Sequence, residues 1–223
     1  MADKKRFGID ISRWQGANFD IAKAKKDHGV EFVIIKAGGA DDGLYQDRCW
    51  ESNFAKAEAA GVYKGAYFFS HAMSVEEART EANFFLSLLK GKKLDYPVFM
   101  DVEGDMVRRL NRITLTNVVN EFCSIVEKAG YWVGIYSSLS AFNTEVVDSS
   151  LLRYTHWVAC WNNSKNPPKV ASGAQTQIWQ NSSSNIICGK RVDTDWSYVD
   201  YPSIIKKKGL NNFKATKKKE ASK

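Results

Sequence analysis

The chain has 223 residues, 44% of them apolar, enough for one large core or for one domain with a short appendage. No run approaches the ~18 consecutive apolar residues of a membrane span, and the N-terminus "MADKKRFGIDIS" passes from charge into a strand-like run without the apolar segment of an export signal. The net charge of +7 is local. Eight of the 32 basic residues and one of the 25 acidic ones fall in 206–223, which leaves 24 of each in 1–205. A neutral body argues against a nucleic-acid partner, and residues 206–223 read as a Lys-rich, disordered tail on a domain spanning 1–205.

In chain order, "FGIDIS" (7–12) has strand character, and "NFDIAKAKKDHG" after it reads as a helix capped by Asn18 or Asp20 and stopped at Gly29. "EFVIIKAGG" (31–39) is apolar throughout, as in a strand buried on both faces of a parallel sheet. A helix over 47–61 ends at Gly61, "VYKGAYFFS" is a strand, and "SVEEARTEANFFLSLLKG" opens on a capping box, Ser74 to Glu77, and closes at Gly91. "YPVFMDVE" follows, then a helix over about 114–129 ending at Gly130. "WVGIYSS", "THWVACWN", "AQTQIWQNS" and "RVDTDWSY" are four further strands, with thinning helical patterns between them.

Alternating strands and helices imply right-handed crossovers and a parallel sheet. Eight strands in about 200 residues suggest an α/β closed barrel of the TIM-like kind whose last three strands have lost their helices, with an open doubly wound sheet as the alternative. Neither a G-x-G-x-x-G after the first strand nor a Walker sequence is present, so phosphate chemistry gains no support. The four cysteines form no C-x-x-C and sit in apolar segments, as buried free thiols do. The three histidines lack metal-ligand spacing, so neither metal nor cofactor is expected.

In a parallel barrel the chemistry lies at the C-terminal ends of the strands. Asp10 ends the first strand, Asp101 and Glu103 end the fourth, and Asp193 with Asp195 lie in the last. Asp101 and Glu103 share a strand face, with Cα atoms about 6.6–6.8 Å apart. Two carboxyls so close cannot easily both ionise, which supplies an acid beside a base or polariser. The plainer reading is a pair bonded to loop amides or to Arg108 and Arg109; two further acidic clusters on one rim weigh against it. Tyr67, Tyr136, Trp161 and Trp179 lie toward strand ends, where flat rings stack on sugars, whereas Trp14, Trp50 and Trp132 suit core or loop packing. Acids with aromatics and without metal ligands favour glycoside hydrolysis. A barrel that binds glycan without cutting it is the alternative.

The motifs "GIDISRWQG" (8–16), "FVIIKA" (32–37), "GVYKGAYFF" (61–69), "YPVFMDVE" (96–103), "GYWVGIYSS" (130–138), "HWVACW" (156–161), "IWQNSSS" (178–184) and "VDTDW" (192–196) stand in an order that resembles glycoside hydrolase family 25, the Chalaropsis-type lysozymes of phage endolysins and bacterial autolysins. The similarity covers about residues 7–200. It implies a (β/α)5(β)3 barrel that cleaves the β-1,4 bond between N-acetylmuramic acid and N-acetylglucosamine of bacterial peptidoglycan, with no metal. By motif, Glu103 matches the general acid of D-x-E, Asp101 its neighbour, Asp10 the acid of G-x-D-x-S, and Asp193 the acid of V-D-x-N. Asp195 stands where that pattern has Asn, and strand alternation alone does not separate it from Asp193. Two departures are visible: Phe68 replaces the His of G-x-Y-H-F, and "GGADDG" replaces T-E-G, both of which could change the wall chemistry accepted.

On this resemblance Glu103 protonates the glycosidic oxygen, kept protonated by burial and by the charge of Asp101. Configuration is retained, through attack by Asp193, by Asp101 or by the substrate's own acetamide, the last favoured. The expected protein is a monomer whose Lys-rich tail adheres to anionic wall polymers. It would accumulate in the host cytoplasm before holin-dependent release if a phage endolysin, and act outside the cell at the wall otherwise.

Overall fold

The computed structural model describes residues 5–162 and 164–215. Strand β1 (Arg6–Ile11) leads through α1 (Ile21–His28) to β2 (Phe32–Gly39). Asp20, rather than Asn18, caps α1 by accepting the Lys23 N–H at 2.8 Å, and Gly29 closes it in the left-handed conformation. A two-residue strand, β3 (Tyr45–Gln46), turns back antiparallel on β2, followed by α2 (Trp50–Ala59) and β4 (Tyr63–Phe69). Next comes α3 (Val75–Leu89), where the Ser74 hydroxyl accepts the Glu77 N–H while the Glu77 carboxylate accepts the Met73 N–H, one residue outside a reciprocal capping box.

After β5 (Val98–Asp101) a short helix α4 (Asp105–Arg109) precedes α5 (Arg112–Lys128), which Asn111 caps. The chain ends with β6 (Val133–Ser138), α6 (Leu139–Thr144), a 3₁₀ turn (Ser149–Arg153), β7 (Thr155–Ala159), β8 (Ile178–Ile187), β9 (Lys190–Ser197) and α7 (Tyr201–Lys208). Among the described residues no helix is long and apolar enough to cross a membrane.

The strands run β1-β9-β8-β7-β6-β5-β4-β2, and a parallel β1–β2 pairing closes them into an eight-stranded barrel carrying β3 on one edge. Five strand–helix units followed by three bare strands give the (β/α)5(β)3 architecture. Within the barrel, one strand departs from the all-parallel expectation. β9 is antiparallel to both β8 and β1, because Cys188 and Gly189, both at positive φ, fold β8 and β9 into a tight hairpin. The mouth is therefore reached by the first half of β9, not its end.

Alternation divides the apolar residues into two cores. One face of the strands packs on the helices, with Val33, Ile35, Phe68 and Met100 meeting Phe85 and Phe122. The other fills the barrel with Phe32, Ile34, Tyr96, Phe99, Trp157 and Ile178. Gly8 is needed there: a Cβ would lie 2.4 Å from the Phe32 ring, which crosses over it.

Composition placed residues 206–223 in a disordered tail, and the structure moves that boundary. Residues 206–208 complete α7, whose Tyr201 and Ile205 plug the bottom of the barrel against Tyr96 and Trp132. Beyond it, Asn211 is buried, donating to the Leu94 and Tyr96 carbonyls and accepting the Trp132 N–H. The lysines mislead because they close an amphipathic helix: Tyr201 and Ile205 are buried, Lys206 pairs with the buried Asp95, and Lys207 and Lys208 are exposed. Residues 216–223 lie outside the described residues.

Candidate active site

The mouth opens at the C-terminal ends of β1 to β8. On β5, Val98 and Met100 face the helices while Phe99 and Asp101 face inward. Pairing continues one residue further, as the Val102 N–H donates to the Tyr136 carbonyl at 2.9 Å and the Ser137 hydroxyl to the Val102 carbonyl at 2.6 Å. Glu103 thus keeps the parity of Asp101. Gly104 then turns the chain away at φ 60° and ψ −126°, a conformation open to glycine. Asp101 is buried, with its Oδ1 lacking any partner, while Glu103 stands exposed above it.

The hairpin supplies the opposite wall. Asp10 of β1 is in register with Asp193 of β9, and Gly8 with Asp195, so register separates the two acids that alternation alone could not. Asp193 lies half-buried at the level of Asp10. Asp195 lies one step deeper and is fully buried, its Oδ1 accepting the Trp157 indole N–H at 2.7 Å. The expectation that Asp195 contacts substrate is corrected: it sits beneath the floor.

Gln180 joins these groups. The Tyr136 hydroxyl and the Trp161 indole each donate to its Oε1 at 3.0 Å, which turns its amide N–H₂ toward Asp10 Oδ2 at 2.8 Å and Asp193 Oδ2 at 3.4 Å. Its signal in the sequence was parity, since Gln180 shares the inward face of Ile178. Lys36 is a second group that pattern reading passed over, a lysine within an otherwise apolar run. Its buried ammonium lies 4.5 Å from the Phe69 ring centroid and 6.0 Å from that of Tyr67.

The predicted aromatics separate. The Trp161 ring is 60% exposed at the mouth, and Tyr67 lines a cavity of about 380 Å³ with Asp10, Ser12, Trp14 and Asp193. Trp14, assigned to core or loop packing, is 79% exposed there, so that assignment is corrected. Tyr136 is buried with its ring tilted against Trp157, ring centroids 4.5 Å apart, and meets the site through its hydroxyl rather than as a stacking face. Trp179 is not at the site. It has the parity opposite to Gln180, is buried outside the barrel interior and donates its N–H to the Cys160 carbonyl. Phe68 is likewise turned away into the Phe84, Phe85 and Phe122 cluster, so its replacement of His leaves the mouth untouched.

Burial dominates the electrostatics. It holds Asp101 well above the ordinary carboxylate range, aided by the charge of Glu103 and opposed by Lys36. It also raises Glu103, against Lys36. Of the two expected causes, burial does raise Glu103, whereas the repulsion within the pair falls on the deeper Asp101 rather than on Glu103. Burial and then the charge of Glu103 lift Asp193 to about 6. Asp10 is raised well above its usual range by burial and by Asp195 and Asp193, with Gln180 opposing.

A cleft that sets a carboxyl raised above its usual range beside a buried one, walled by indole and phenol rings, has the parts to act on a sugar chain. The family model for glycosyl hydrolases family 25 matches residues 9–190. The chain belongs to that family. It is similar to Lysozyme M1 of Streptomyces globisporus, 30% identical over 200 residues, covering 84% of this chain and 65% of that one. It is also similar to the autolytic lysozyme of Clostridium acetobutylicum, 30% identical over 184 residues, covering 82% and 53%. The chain thus spans only part of the length of these relatives. Among solved structures, the bacterial lysozyme of Streptomyces coelicolor superposes with a TM-score of 0.75 at 25% identity, covering 93% of this chain and 97% of that one. Within the family-25 barrel, the carboxyls gathered at the mouth are Asp10, Asp101, Glu103 and Asp193.

Proposed function

We propose that this family-25 barrel is a lysozyme that hydrolyses the β-1,4 bond between N-acetylmuramic acid and N-acetylglucosamine in bacterial peptidoglycan, acting at the cell wall. The observation that carries the reading is the arrangement at the end of β5: Glu103 at the rim, its carboxyl raised by desolvation within the cleft, above a buried Asp101 whose Oδ1 has no partner. An unfilled, buried acceptor is costly unless a ligand donor completes it. The N–H of the sugar's 2-acetamido group is such a donor, with Asp101 two residues from the acid that serves the leaving oxygen.

In the proposed reaction Glu103 gives its proton to the glycosidic oxygen as the C1–O bond breaks. The acetamide oxygen, oriented by Asp101, attacks C1 and forms a cyclic oxazolinium ion. Water then attacks C1 while the Glu103 carboxylate takes its proton, so the acetamide is released with configuration retained. Gln180 fixes Asp10 and Asp193 along the opposite wall. We further propose that the lysines of the barrel's lower face adhere to anionic wall polymers.

The test is digestion of purified peptidoglycan with wild type and Glu103→Gln, with the new reducing end identified by mass spectrometry. Wild type should release N-acetylmuramic acid ends, and the variant should lose ~10²–10⁴-fold in rate. N-acetylglucosamine ends, full activity in the variant, or retention on the wall without any new ends would each overturn the assignment. A substrate lacking the acetamide should turn over far more slowly, and unchanged turnover would sink the acetamide step.

A further inference from the structure

Asp195 is an acid with no room to be charged. It is fully buried on β9, in register with Gly8 of β1 and Gln180 of β8. One oxygen accepts the Trp157 N–H, while Oδ2 is buried without a donor. Asp10 is its diagonal neighbour on the same face of the ladder, within side-chain hydrogen-bonding reach. Asp10 is itself buried, with Oδ2 holding the Gln180 amide. Two carboxyls this near, one fully buried and the other reaching water only through the cavity, cannot easily both ionise, and a single proton between them turns repulsion into a hydrogen bond.

The surroundings do not offer another solution. Facing the pair are Asp193 on the same strand, Asp101 and Glu103 from β5, the neutral phenols Tyr67 of β4 and Tyr136 of β6, the Trp157 N–H of β7 and Gln180 of β8. The buried cation of the mouth, Lys36 of β2, lies against Phe69 and acts on Asp101 and Glu103. Lys190 and Arg191 are exposed at the outer edge of the cavity.

We propose that Asp195 is a positioning residue that works in its protonated form, its carboxyl O–H donating to Asp10 so that the Asp10 carboxylate and Gln180 are held in one arrangement under the substrate. Asparagine at this position would do the same through its N–H₂, without titrating. With aspartate there, the arrangement lasts only while the proton is present, so alkaline pH dissolves it. The side chain thus adds a pH limit to the site that an amide would lack.

The experiment compares wild type, Asp195→Asn and Asp195→Leu by pH profiles of kcat/KM on purified peptidoglycan. It adds ¹³C NMR titration of Asp-carboxyl-labelled protein, a readout that does not depend on the proposed lysozyme activity. Asp195→Asn should keep activity within ~3-fold at the acid side and carry its alkaline limb upward by about one pH unit. Asp195→Leu, which removes the donor, should lose on the order of 10²-fold. In the NMR titration an aspartyl carboxyl of wild type should stay protonated well above the ordinary range, and that signal should be absent from Asp195→Asn. Superimposable pH profiles for wild type and Asp195→Asn, or an Asp195→Asn as impaired as Asp195→Leu, would overturn the proposal. So would wild-type carboxyls that all titrate in the usual range. If Asp195→Leu does not fold, the comparison of wild type with Asp195→Asn still decides.

Discussion

The two ends of the barrel are built on opposite principles. At the bottom, Phe32 stacks on Tyr96 at 4.3 Å, and Tyr201 closes the layer by packing on Tyr96 and Trp132 and donating its hydroxyl to Thr155. Asn211 there satisfies both its amide hydrogens and its oxygen with backbone groups. At the mouth, Asp101 Oδ1 and Asp195 Oδ2 are buried without donors, and the acids crowd one another. Stacked rings stabilise the bottom, although the Tyr96 hydroxyl there is also buried without a partner; what sets the mouth apart is that its unpaired groups are carboxyl oxygens crowded by other acids, ready for a ligand at a cost in stability. Glu103→Gln and a bottom-layer variant should therefore fail in different ways, one in rate at unchanged melting temperature, the other in stability.

The largest structural effect belongs to Tyr201→Ala. Removing a fully buried ring from the plug should cost about 3–5 kcal/mol, read as a lower denaturant midpoint, with normal turnover in protein still folded. Asn211→Ala, which orphans the Leu94 and Tyr96 carbonyls and the Trp132 N–H, should cost roughly 2–3 kcal/mol. A loss of turnover at full stability in either variant would erase the division between the ends.

A smaller effect comes from pH. Carboxyls whose folded values lie above their unfolded ones stabilise the fold below the ordinary carboxylate range, and lose that contribution as pH rises through the raised values. Asp193, at about 6, and Glu81, raised by burial to about 7 against its bonds from Ser70 and His71, place part of this loss near neutrality. Asp10, Asp101 and Asp195 extend it upward. His156 runs the other way: burial lowers it to about 4 from 6.5, so its contribution is lost only as pH falls below 6.5. The melting temperature should therefore rise as pH is lowered from about 8 to about 6.5, where the acids act unopposed. Asp195→Asn should flatten that slope and Tyr201→Ala should not; equal slopes in all three proteins would place the sensitivity outside the mouth.

The same division governs what could be seen in the sequence. The barrel was legible because buried parallel strands such as "FVIIKA" and capped helices carry strong periodic signals. Asp10, Asp101 and Glu103 were legible as polar breaks at the ends of apolar runs. Asp193 and Asp195 were not separable, because only the antiparallel register of β9 assigns one to the mouth and the other to the floor. Trp179 misled for a related reason: its neighbour Gln180 holds the inward parity, and alternation fixes faces without saying which face is the interior. Lys36 and Gln180 carried a local signal, a polar residue at an inward position of an apolar strand, but their roles depend on cross-strand partners, and Trp14 depends on loop geometry, which no local pattern encodes.

The smallest effect concerns the outside of the two ends. Around the bottom, Lys90, Lys93, Lys128, Lys207, Lys208 and Lys214 are exposed, and Lys208 lies 4.9 Å above the Trp132 ring. Nearby acids are engaged: Asp95 with Lys64 and Lys206, Glu127 with Arg153, Glu51 with Lys92. The mouth is acidic and the bottom basic, so an anionic polymer would be attracted to the face away from the cleft and leave the cleft open to glycan. Exposed charges of this kind are each worth little and are screened within about 8–10 Å at ordinary salt. Lys207→Glu with Lys208→Glu should thus lower retention on whole walls by only ~3–10-fold at low salt, with no difference at high salt. On walls stripped of anionic polymer the variant and wild type should bind alike. Equal retention on intact walls at every salt concentration would remove the basic face from wall binding and leave the mouth as the sole attachment.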